Sequence, residues 1–64
     1  MSEAIVGINQ VGTVRAVFCI DSPKDEKEAA KEAGEWLRVG RTVKRCSDKH
    51  AFSLLDKPWV EETT

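Results

Sequence analysis

The sequence predicts an α+β fold: a three-stranded, mainly antiparallel sheet packed on one long helix in the order ββαβ, then a short C-terminal helix or strand. Three observations predict it. Residues 4–20, AIVGINQVGTVRAVFCI, are rich in Val and Ile and are interrupted once by a stretch with Gly and Asn. Residues 22–40 carry a helix start, a helical spacing of apolar residues and a glycine stop. Residues 41–46, RTVKRC, return to strand-like composition. A chain of 64 residues, read as 1–64, is a single small domain. Domains of this length bury only ~60% of the surface their unfolded chain exposes, so one helix layer on one small sheet is all the core can fill.

The first element is a β-hairpin, with a strand near Ala4–Ile8, a turn around Asn9–Gly12 and a second strand Thr13–Ile20. Alternation puts Val14, Ala16, Phe18 and Ile20 on the face toward the core, and Thr13, Arg15, Val17 and Cys19 on the other. Val17 and Cys19 are apolar for an outer face, so the C-terminal tail or a partner is expected to cover them. Ser22 is a good N-cap, Pro23 suits the first helical position, and Asp25 completes an S-x-x-D variant of the capping box. Ala29, Ala33, Trp36, Leu37 and Gly40 follow helical spacing and form the apolar side, with Trp36 and Leu37 supplying its bulk. Gly34 is a weak point, and Gly40 is the better stop, with Arg38 near the negative helix end. Arg41–Cys46 is the third strand. Ser47-Asp48 caps a short helix, Asp48–Leu55, whose residues are also compatible with a fourth strand, His50–Leu55. The tail is expected to fray from about residue 60.

The charge is segregated. The chain is −1 overall, yet residues 21–35 are net −3, residues 36–50 net +4 and residues 51–64 net −2. Half of the ten basic residues fall in RVGRTVKRCSDKH, residues 38–50. On a strand, Arg41, Val43 and Arg45 share one face, and Thr42, Lys44 and Cys46 the other. Neither face is cleanly apolar, which fits an edge strand whose charges discourage unwanted pairing. The functional alternative is an anionic partner. Arg41, Lys44, Arg45 and Lys49 are the candidate binding residues, and Arg41 and Arg45 reach two carboxylates or phosphates ~13 Å apart. Single-stranded nucleic acid usually needs aromatic stacking platforms as well. The basic segment has none, so nucleic acid is the weaker candidate partner. Trp59, after Pro58, is either a tail anchor folded on the core or a docking side chain.

Catalysis is not expected. A Cys46–His50 pair would lack an orienting group and an oxyanion hole. The Gly7–Gly12 spacing lacks the Lys and Ser/Thr of a phosphate loop. One histidine and two separated cysteines point to no metal site and no cofactor. MSEAIVGINQ carries no signal-peptide pattern and no stretch is long enough to span a membrane, so a cytoplasmic protein with reduced thiols is expected. A Cys19–Cys46 disulfide across neighbouring strands remains an alternative.

EAAKEAGEWLRVGRTVKRC, after a hairpin, resembles very small phage-encoded host-takeover proteins, such as the short phage inhibitor of bacterial RNA polymerase. Glu28, Ala29, Ala33, Glu35, Trp36, Gly40, Val43 and Arg45 carry the likeness. It implies docking on a host protein rather than chemistry, through charged residues on the strand or adjoining loop, with Arg45 at a matching position. The expected function is therefore a non-enzymatic module that binds an acidic surface of a host protein. Self-association through the Val17 and Cys19 face is a third reading.

Overall fold

A computed structural model of the chain describes residues 2–62. It contains β1 (Glu3–Ile8), β2 (Val14–Ile20), α1 (Pro23–Arg38), β3 (Thr42–Ser47) and α2 (Asp48–Ser53). The three strands form an antiparallel sheet in the order β2-β1-β3. This is the expected ββαβ fold, with the C-terminal segment helical. Ser47 decides that last point: its hydroxyl accepts the His50 N–H at 3.3 Å and caps α2.

Both faces of the sheet are covered, which is why Ala4–Ile8 of the central strand are all buried. One face packs on α1 through Ile5, Ile20, Ala29 and Trp36, with Ala16, Phe18, Ala33 and Val43 around them. The other packs on α2 and the tail through Ala4, Val6, Ile8, Val14, Cys46 and Ala51, with Val17, Leu54 and Trp59 against them. The cover expected over Val17 thus comes from α2 and the tail.

The alternation expected in β2 is broken at one residue. Ile8 pairs with Val14 but Gly7 pairs with Ala16, so Arg15 is the extra residue of a β-bulge. The bulge moves Val14 to the α2 side, where it is fully buried. Ala16, Phe18 and Ile20 stay on the α1 side.

α1 begins at Pro23, as its sequence predicts, but the capping differs. Ser22 makes no side-chain cap, and the Asp25 carboxylate accepts the Asp21 N–H at 2.9 Å instead. Leu37, expected in the core, is 61% exposed. At 100° per residue it lies ~80° around the helix from Ala29, while Trp36 lies only ~20° away and fills the contact. Gly7 makes that contact close: a Cβ there would stand 3.1 Å from two ring atoms of Trp36.

Cys19 and Cys46 both pair with Ala4, one from each side. Two strand spacings put their Cα atoms ~10 Å apart, beyond the ~7 Å limit of a disulfide. Both are free, and burial is the first cause that pushes each thiol's pKa up. Among the described residues, no helix is long and apolar enough to cross a membrane.

The chain after α2 acts as a strap. The Asp56 N–H donates to the Val14 carbonyl at 2.8 Å, the Val14 N–H to Lys57 at 2.9 Å, and the Trp59 N–H to Gly12 at 2.8 Å. Trp59 then turns onto the core and meets His50 edge-to-face, ring centroids 5.4 Å apart. Residues 60–62 run beside α2 and the end of β3. His50 Nε2 lies 2.7 Å from the Val60 carbonyl, and the Glu62 carboxylate accepts the Ser47 N–H at 3.0 Å and the Ser47 hydroxyl. Residues 63 and 64 lie outside the described residues.

Candidate protein-docking surface

The basic run does not form one positive patch, because a strand sends alternate side chains to opposite faces. Arg45 points to the α1 side and meets two carboxylates of its own chain, Glu3 at 2.7 Å and Glu26 at 2.5 Å. Lys44 points to the other side and lies 3.6 Å from Glu61 of the strap. Arg38 reaches Glu35 at 3.9 Å, one turn earlier. Arg41 and Lys49 have no ion-pair partner among the described residues, and β3 separates them by ~20 Å. Trp59 is half-buried in the strap, with its indole N–H toward Glu61 at 3.3 Å.

The Arg45 hydrogen bond is the first cause that holds the Glu26 carboxyl below its ordinary pKa. A depressed folded value supports the fold above the unfolded pKa of ~4.3, and that support is lost as pH falls through the lower folded value. Arg45→Ala is expected to return the Glu26 titration, followed by carboxyl ¹³C NMR, to the ordinary range. A titration that stays low in the variant would refute Arg45 as the cause.

Arg41 differs from the other four because of how α1 ends. Val39 is the C-cap, Gly40 takes φ 84°, the Gly40 N–H donates to the Leu37 carbonyl at 3.2 Å and the Arg41 N–H to the Trp36 carbonyl at 2.9 Å. This is a Schellman motif, in which glycine adopts the left-handed conformation that other residues resist. It fixes the Arg41 backbone beside Trp36. The Arg41 stem follows over Gly7, where a Cβ would lie 3.3 Å from its Cδ.

The hairpin tip supplies the facing wall. The Asn9 side-chain oxygen accepts the N–H groups of Val11 at 3.1 Å and Thr13 at 2.9 Å, and Gly12 takes φ 87°. That knot holds Val11 outward. Asn9, Gln10, Val11, Val39, Gly40 and Arg41 line a shallow groove of about 320 Å³. Val11 is 84% exposed and Val39 68%, and Leu37, two residues before Val39, is also exposed. The groove therefore joins the Arg41 guanidinium to unburied branched apolar side chains.

Reading the sequence placed Arg41 among the binding residues but missed Gln10, Val11 and Val39. One signal was present. Val11 sits inside a turn bounded by Asn9 and Gly12, and Val39 directly precedes a helix-stopping glycine; neither place leads into a core. The chain matches no protein-family model, no curated protein and no solved structure.

Proposed function

We propose that the protein is a small, non-catalytic docking module that modulates another protein by seating the Arg41 groove on an acidic surface. The observation that carries this reading is Arg41, without an ion-pair partner among the described residues, between exposed Val11 and Val39. Arg is enriched at interface hot spots, and apolar side chains beside it exclude water and strengthen its contact with a carboxylate. The fitting partner surface presents an Asp or Glu next to an apolar side chain. The resemblance to phage takeover proteins makes host machinery in the bacterial cytoplasm the class of partner to test.

The test is affinity capture from a bacterial lysate with wild-type protein and with Arg41→Glu and Val39→Asp. Both positions lie outside the core, so circular dichroism is expected to be unchanged. A partner held by wild type and by the control Lys24→Glu should be lost by both groove variants, with at least ~30-fold weaker affinity on titration. Equal capture by all four proteins would overturn the proposal. Binding to oligonucleotides that falls steeply with salt would also count against it, because that slope reports phosphate contacts.

A further inference from the structure

The two outer strands are protected unequally. On β3, Ser47 gives its outward N–H to Glu62, and Lys44 and Arg45 supply charge. On β2, the strap covers only the start: Thr13 pairs with Pro58, and Val14 exchanges hydrogen bonds with Asp56 and Lys57. Beyond it run Ala16, Val17, Phe18, Cys19 and Ile20, five apolar residues with no charge, proline or bulge among them. Ala16–Cys19 are only partly buried. Val14 directs its N–H and C=O outward. With the bulge at Arg15, the alternation carries the next outward groups to Val17 and Cys19. An uncovered apolar edge is a template for another strand.

The segment is complementary to itself. In an antiparallel pair centred on Phe18, Val17 stands opposite Cys19 of the second copy, so the residues with outward groups meet in hydrogen-bonding positions. Ala16 stands opposite Ile20, and Arg15 opposite Asp21. Arg15 and Asp21 are both exposed and bound the apolar run at its two ends. Arg15 lies 3.2 Å from Asp56 of its own strap, so in this register its guanidinium is shared between Asp56 and Asp21 of the second copy, and an opposite-charge pair closes each end. Phe18 meets its own copy on the α1 side. We infer that two copies of the chain join along Ala16–Ile20 in this register, making one continuous six-stranded antiparallel sheet with both α1 helices on the same side. Each strap then abuts the end of the other copy's β2. The inference is independent of the Arg41 groove.

Sedimentation equilibrium under reducing conditions tests it, over concentrations reaching ~1 mM. Wild type should show a reversible monomer–dimer equilibrium. Arg15→Asp and Asp21→Arg should each weaken the dimer at least ~10-fold, because two opposite-charge pairs become like-charge pairs. The double variant R15D/D21R should restore it, since the reversed charges again face each other. Circular dichroism checks that each variant is folded. A wild type that stays monomeric throughout, or a dimer indifferent to the single reversals, would overturn the inference, as would a double variant that stays as weak as the singles.

Discussion

Replacing Trp36 with alanine is expected to leave much of the protein unfolded in water. Its side chain is the bulk of the α1 contact. It is 8% exposed and lies against β1 at Gly7, with Ile5, Ile20 and Ala29 in the same cluster. Removing a buried Trp costs ~3–5 kcal/mol, whereas a domain of 64 residues has only ~3–10 kcal/mol of total stability. The alanine cannot be compensated by collapse, because Gly7 supplies no atoms to move into the space. Urea unfolding followed by far-UV circular dichroism measures the loss. Leu37→Ala is the comparison: exposed side chains usually change stability by less than ~0.5 kcal/mol, so its midpoint should stay near wild type. If the two variants unfolded at the same urea concentration, the assignment of Trp36 to the core and Leu37 to the surface would be wrong. Trp36 also sits at the third position from the end of α1 in the Schellman motif, so its loss should loosen Arg41 and the groove.

Trp59→Ala is expected to cost about 2 kcal/mol, roughly half of what a fully buried Trp costs, because the indole is only half-buried. The larger consequence is local. Trp59 holds the strap against His50 and the Val6–Val14–Cys46 cluster. Without it the strap keeps its backbone bonds to Gly12 and Val14 but loses its side-chain anchor. Cys46, 6% exposed in the folded protein, becomes the reporter. Its reaction with a thiol reagent under native conditions should accelerate ~30-fold, the opening that 2 kcal/mol corresponds to. Peptide mapping distinguishes it from Cys19, which is already partly exposed. An unchanged Cys46 rate would show that α2 alone seals that face.

The elements were legible because their signals are local. Pro23 and Gly40 bracket α1, and both conformations follow from backbone chemistry within a few residues. The apolar outer face at Val17 and Cys19 was a legible sign that something covers it. The bulge was not legible, because Arg15 carries no glycine or proline to mark it; only pairing with β1 reveals it. Arg45 was misleading for a related reason. Its carboxylates come from Glu3, 42 residues away, and Glu26, 19 residues away. A run of positive charge along the chain gives no view of acids delivered by two other elements. Val11 and Val39 lie 28 positions apart, and become neighbours in one groove only when the hairpin tip and the end of α1 meet.

The position of β1 at the centre of the sheet bears on the order of folding. β1 and β2 are joined by a short turn, so their hairpin can close within ~1–10 μs. The other edge of β1 must wait until the chain has passed through all 16 residues of α1 and returned as β3. During that interval the strand has unpaired backbone on one side and Ile5, Val6 and Ile8 uncovered. A chain paired only in the hairpin presents an open strand edge. The β1–β3 pairing is therefore the long-range contact of the sheet and carries the larger loop-closure cost.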